Sequence, residues 1–231
     1  MDIVIHFGAE TCGVDLGETI DERGAFRQSG YTNWQLWNNE IFDWGEIVFD
    51  CFHAIGGCAH LGYSWLYDFD NGRQRVVKAL KKRSGKQIAL EVIPPLSQNT
   101  GIWGFGGTPS DMQWFLGQLG ESWQILLDYT HFSVAINQCN VYNHGDKTQP
   151  WRNLEKTLEA YLALPHSDIC HYSGYPPTDM LVDSHDYLLS APHPAIKTAL
   201  QGARVICLEF EFDDNSISAR TIEQFRKMCD I

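Results

Sequence analysis

Six short apolar runs in this chain each carry a metal-capable side chain at or near their carboxyl end. Ile125-Leu126-Leu127 leads into Asp128, and His131 follows three positions later. Runs closing on His6, His53, Glu91, His171 and Glu209 repeat the pattern, and an Asp-x-His pair, Asp183 and His185, lies between the last two. Histidine and carboxylate are the nitrogen and oxygen donors that hold zinc, manganese or iron. Charged or imidazole side chains at the end of a buried strand are costly unless something neutralises them. A divalent cation does so, and nine candidate ligands exceed the roughly four that a single zinc takes. The count suits two or three ions sharing bridging carboxylates.

Taken singly, each of these residues has a plainer reading. A histidine at a strand end is commonly a hydrogen-bonded core histidine, and a strand-end glutamate caps a helix or pairs with lysine. Asp128 with His131, and Asp183 with His185, carry more weight. The first pair can converge across a strand end, and the second has the period-two spacing that points both side chains one way on extended backbone. The ordered series carries the expectation. His60, His144, His166 and His193 lie away from the strand ends and are set aside as surface or loop residues.

Elements of a particular kind must position such a series. Short apolar runs alternate along the chain with helical patterns, which predicts an α/β architecture with a parallel sheet, its ligands gathered at the carboxyl ends of the strands. Helices are expected over about 32–44, 73–86, 108–119, 151–164, 194–200 and 218–228. In the second of these the basic residues read as the solvated face, and in the third Thr108-Pro109 reads as a start signal. Loops are expected at Gly56-Gly57, at 137–149 and at Pro176-Pro177. The glycine- and aromatic-rich stretch Gly101 to Gly107 is read as either a substrate lid or a plain surface loop. With 231 residues and no repeat or linker, residues 1–231 form one domain.

Composition narrows the function classes. No apolar run approaches the eighteen or so residues of a membrane span. The amino terminus lacks a secretory pattern, and the seven cysteines include no C-x-x-C pair, so a reducing, cytoplasmic setting without disulfides is expected. A formal net charge of −12 argues against a broad nucleic-acid surface, although a local one stays open.

The ordered series His6, His53, Glu91, Asp128-x-x-His131, His171, Asp183-x-His185, Glu209 resembles that of the xylose isomerase-like TIM barrels, most closely the endonuclease IV branch (AP endonuclease family 2). The resemblance runs from Met1 to about Phe212. It implies a TIM-barrel-like parallel barrel shortened at the amino-terminal side to about six β/α units, whose open edges a further element or a homo-oligomer would cover. It also implies two or three divalent ions, zinc first and manganese or iron next. Glu91, Asp128 and Glu209 would hold the attacking hydroxide for hydrolysis of a phosphoester or phosphodiester. Around the ligands the residues differ: His171-Tyr-Ser-Gly-Tyr-Pro stands where the endonucleases have His-Leu-Asn-Asp-Ser-Lys, so the metal set is kept without the DNA-reading parts. Three other readings stay open. They are a sugar isomerase or epimerase with one ion on Glu91, Asp128, His171 and Glu209, a multinuclear iron oxidase, and a metal-free binding module on a degenerate barrel.

Overall fold

The structure is a computed structural model that describes residues 2–7, 49–53, 56–59, 61, 63–65, 69–82, 88–94, 102–142, 153–182, 190–210 and 219–231. Its centre is a seven-stranded sheet in the order β1-β9-β8-β7-β5-β3-β2. The strands are β1 (Asp2–Phe7), β2 (Phe49–His53), β3 (Gly56–Ala59), β5 (Ile88–Glu91), β7 (Gln124–Asp128), β8 (His166–Tyr172) and β9 (Val205–Phe210). The pairings β1–β9, β9–β8, β8–β7, β7–β5 and β5–β3 are parallel. Strands β4 (Tyr63–Trp65) and β6 (Ile102–Gly104) form a separate antiparallel pair. All six apolar runs singled out from the sequence are strands, and the architecture is α/β with a parallel sheet.

Why these runs become strands is visible in their burial. Ile125, Leu126 and Leu127 are all buried, so the segment is covered on both faces, as a near-continuous apolar run in a parallel sheet requires. One face, with Leu90, Ile125, Leu127, Tyr172, Ile206 and Leu208, joins the main core beneath the helices. The alternate positions Leu126, Ile169 and Val205 form a second, small cluster with Ala89 packed against it, contributed among the described residues by strands. The two edge strands β1 and β2 approach within 8 Å at their Cα atoms, so the sheet curls towards itself around that second cluster.

The helices are α1 (Phe69–Lys82), α2 (Pro109–Leu119), α3 (Tyr129–Tyr142), α4 (Leu154–Leu162), α5 (Pro194–Gly202) and α6 (Ala219–Cys229). Their starts follow local chemistry. Thr108 caps α2 by accepting from Asp111 N at 3.2 Å, with Pro109 in the first turn, and Asn153 caps α4 by accepting from Lys156 N at 3.1 Å. In α1, Val76, Val77 and Leu80 are buried while Lys78 and Lys81 are exposed, as the basic stretch led one to expect. Arg73 and Arg75 are only partly exposed on that helix, and Arg73 bridges to the next one. Its guanidinium lies 4.1 Å over the Trp114 ring and 3.6 Å from Asp111, tying α1 to α2.

Three expectations change, and a fourth cannot be placed. Gly56-Gly57 is not a loop: it opens β3, the parallel neighbour of β5, while the His53 strand β2 runs antiparallel beside it. The two strands pair with His53 opposite Gly56 and Phe49 opposite Ala59. The stretch up to Gly107 is not a free lid at its described end. Residues 102–104 pair with β4, and Phe105 is fully buried with its ring 5.1 Å from that of Phe69. The stretch 137–142 is not a loop but the end of α3. That helix is buried on nearly every side, so its sequence lacks the two-sided pattern that marks a surface helix. The helix expected over 32–44, with Trp34, Trp37, Ile41 and Trp44, falls outside the described residues.

The turn before α2 holds a buried acid. Gly106, at φ +77°, donates its N–H to Asp111 Oδ2 at 2.6 Å, and a Cβ there would lie 2.7 Å from Met112 Cε. Burial pushes the Asp111 carboxyl up from 3.8 to about 6 despite the Gly106 hydrogen bond and Arg73. The folded chain therefore holds this proton over a pH range in which the unfolded chain has released it. The associated stability is complete below about 4 and is lost as pH rises through about 6, on the order of 3 kcal/mol in all. Urea titrations of wild type and Asp111→Asn should show the stability of the variant gaining on wild type across that window. A difference between the two that stays flat with pH would refute the linkage.

Candidate metal centre

Asp128 is the last residue of β7 and Tyr129 the first of α3, so strand passes to helix with no loop between them. Asp128 is itself the helix cap. Its Oδ1 accepts from Thr130 N at 2.7 Å and His131 N at 2.8 Å. Two backbone donors thus fix the carboxylate's orientation, and the positive end of the α3 dipole favours its charge. The same first turn carries His131 back over the strand end. There its Nδ1 lies 3.4 Å from Asp128 Oδ2, 3.4 Å from Glu91 Oε1 and 3.1 Å from the Val92 carbonyl oxygen. With its proton on Nδ1, the imidazole donates to one of these acceptors and keeps a lone pair on Nε2 for a metal.

Glu91 ends β5, the neighbour of β7, and Val92 continues beside it through a hydrogen bond from Val92 N to the Leu126 carbonyl. On the other side, His171 of β8 is the register partner of Asp128, and its Nδ1 lies 3.2 Å from Glu91 Oε1. Three adjacent parallel strands therefore contribute to one point at their carboxyl ends. Ligand atoms of Glu91, Asp128 and His131 lie within 4.8 Å of one another, and this group can hold a metal ion. Glu91, Asp128 and His171 are each 0% exposed and His131 is 5% exposed.

The other expected ligands divide into two groups. His6 and Glu209 are register partners on β1 and β9, and His171 pairs with Cys207, two residues before Glu209. Following the register across the sheet, with His53 opposite Gly56 on β2 and β3, the positions of His6, His53, Glu91, Asp128, His171 and Glu209 all fall on the face that bears Leu126, Ile169 and Val205. Asp183 and His185 lie outside the described residues. His166 and His193 stay away from the centre, as their sequence positions suggested. His166 is exposed, with Nδ1 2.9 Å from the Leu164 carbonyl oxygen, and His193 caps α5 by accepting from Ala195 N at 3.2 Å.

Sequence reasoning missed the helix that follows Asp128 and, with it, the polar residues of α3 that hold the chain beyond His171. Thr130 Oγ1 donates to the Gly174 carbonyl at 2.7 Å and accepts from Ser173 N at 2.9 Å. Asn137 donates to the carbonyls of Pro177 and Met180, and Gln138 to that of Leu181. The signal was present: an aspartate before Tyr129, Phe132, Ile136 and Cys139, which recur at helical spacing. Cys139 and Cys170 are buried cysteines outside any disulfide, and burial holds the Tyr129 phenol well above its ordinary value. That phenol stays protonated near neutrality.

No family model matches the chain, and no curated protein shows significant similarity to it. Among the described residues, no helix is long and apolar enough to cross a membrane.

Proposed function

We propose that this chain is a divalent-metal hydrolase of phosphoesters or phosphodiesters, built as a xylose isomerase-like barrel akin to endonuclease IV. The observation that carries the reading is the convergence of Glu91, Asp128 and His131 at the carboxyl ends of adjacent parallel strands. Two carboxylates excluded from water beside imidazoles bring a net negative charge into low dielectric, and a divalent ion neutralises it. A mixed nitrogen and oxygen donor set suits zinc, with manganese or iron next. Register supports more than one ion, because the His6–Glu209 pair stands on the same sheet face two and three strands from Asp128.

Barrel closure is supported by the approach of β1 to β2 and by the buried cluster of Leu126, Ile169 and Val205, which the described residues draw from strands. An antiparallel β2 at the seam would take the place of an oligomeric partner at the open edges.

In this reading Glu91, Asp128 and Glu209 orient the attacking oxygen, while His6, His53, His131, His171, Asp183 and His185 complete the cage. When bound, the ions lower the pKa of water and offset charge that develops on the phosphoryl group. Asp128, fixed by its two N–H donors at Oδ1, turns Oδ2 towards His131, and Glu91 brings Oε1 to His131 and His171 from β5. Buried cysteines outside any disulfide, Cys139, Cys170 and Cys229 among the described residues, suit a reducing, cytoplasmic setting. The substrate is taken to be a small molecule or a phosphoester, and a net charge of −12 disfavours a long nucleic-acid track.

One observation favours a second reading. Among the described residues the donors form a single cluster, Glu91, Asp128 and His131, which shares Glu91 and Asp128 with the one-ion set Glu91, Asp128, His171 and Glu209 of a sugar isomerase or epimerase. Elemental analysis of protein purified without added metal or chelator separates the two. Two or three zinc or manganese ions per chain are expected. One ion moves the assignment to the isomerase, and iron at that stoichiometry moves it to the oxidase. No metal after reconstitution overturns both enzyme readings and leaves a binding module.

A further inference from the structure

Thr130 touches both halves of the centre without being a ligand. It is 0% exposed and sits in the first turn of α3 between Asp128 and His131. Its backbone N–H donates to Asp128 Oδ1 at 2.7 Å. Its hydroxyl reaches the other way, donating to the Gly174 carbonyl at 2.7 Å and accepting from Ser173 N at 2.9 Å. Ser173 follows His171 by two residues and is itself buried. One side chain therefore links the α3 start, which carries Asp128 and His131, to the exit of the strand that carries His171. Glu91 Oε1 lies between the two halves, 3.4 Å from His131 Nδ1 and 3.2 Å from His171 Nδ1.

We propose that Thr130 is a positioning residue that sets the spacing of His171 from Asp128 and His131, and hence the affinity and coordination geometry of the metal centre; this rests on the metal reading above. The physical reason is that ligands on separate elements keep a fixed spacing only if those elements are tied together close to the ligands. Partners that orient metal ligands in this way typically tune affinity by 10–100-fold. The register of β7 and β8 pairs Asp128 with His171, and the buried hydroxyl adds a tie from the first turn of α3 to the chain that leaves β8. Its loss leaves a buried N–H and a buried carbonyl without that partner, which favours a shifted strand exit.

Cobalt(II) alone, added to the full chain, reports both affinity and geometry, the latter through its visible absorption band. Thr130→Val keeps the shape and removes the hydroxyl, and should weaken cobalt binding about tenfold to a hundredfold and alter the band. Thr130→Ser restores the hydroxyl and should keep affinity within about threefold of wild type, with the band unchanged. Asn137→Ala releases the same loop further on, at Pro177 and Met180. It should lower Tm while leaving cobalt affinity and band as in wild type. A Thr130→Val protein with wild-type affinity and band refutes the role, as does equal weakening in Asn137→Ala. If Thr130→Val does not fold, Thr130→Ser decides alone: tenfold weakening despite a hydroxyl overturns the proposal. Failure of wild type to bind cobalt sinks the metal reading itself, and that outcome is distinct from a wild type that binds with an indifferent Thr130→Val.

Discussion

Replacing Glu91 with glutamine should cost more than about a hundredfold in metal affinity while the metal-free protein unfolds within about 1 kcal/mol of wild type. The affinity loss corresponds to roughly 2.7 kcal/mol. Glu91 is fully buried, and one of its oxygens lies 3.2 Å and 3.4 Å from two imidazole nitrogens. The amide keeps the shape and removes the charge that a cation requires. The two contributions can be separated because a proton-held network predicts the opposite pattern. If His131 and His171 were imidazolium partners of Glu91 with no metal involved, breaking that buried pair would cost roughly 3–5 kcal/mol in the metal-free protein. Added metal would then change nothing. Denaturant unfolding of both proteins with and without saturating zinc gives the answer. A large loss that is independent of metal would refute the metal assignment. His131→Ala should lose binding in the same way.

Asp128 offers the second large effect, because one carboxylate does two things. Its Oδ1 caps α3 through Thr130 N and His131 N, and its Oδ2 faces His131 at 3.4 Å. Asp128→Asn retains a cap oxygen and removes the charge, so metal-free stability should fall by only a few tenths of a kcal/mol while metal affinity collapses. Asp128→Ala removes both, and should cost the metal-free protein a further 1–2 kcal/mol through the lost cap. That cost reaches the site as well, since His131 is carried on the turn being uncapped. Measured together, a metal-free asparagine variant as unstable as the alanine variant would mean that the cap is not what orders this turn. Retained metal affinity in the asparagine variant would remove Asp128 from the ligand set.

Both expectations depend on a feature that was only half legible. That Asp128 and His131 belong together could be read from their spacing, but the reading placed them across a strand end. The fold instead makes the meeting by starting a helix on Asp128, so that one turn of α3 returns His131 to the strand it has just left. A capping aspartate and a metal-binding aspartate look alike in a sequence, and here they are one residue. The α3 pattern was hidden for a related reason: Thr130, Asn137 and Gln138 occupy a face that is buried against loop carbonyls rather than exposed to water.

What the sequence determined by itself is local and periodic. Apolar runs such as Ile125-Leu126-Leu127 fixed the strands, Thr108-Pro109 and Asn153 fixed helix starts, and the alternation of the two fixed an α/β parallel sheet. Tertiary structure decided what depends on register and closure. It set β2 antiparallel, opened β3 with two glycines, and brought Glu91 Oε1 within 3.4 Å of His131 Nδ1 and 3.2 Å of His171 Nδ1. Periodicity acts over a few residues and is written in residue type. The convergence of Glu91, Asp128 and His171 is a sum of pairings between segments tens of residues apart, and a shift of one residue in any of them would turn a ligand to the other face of the sheet.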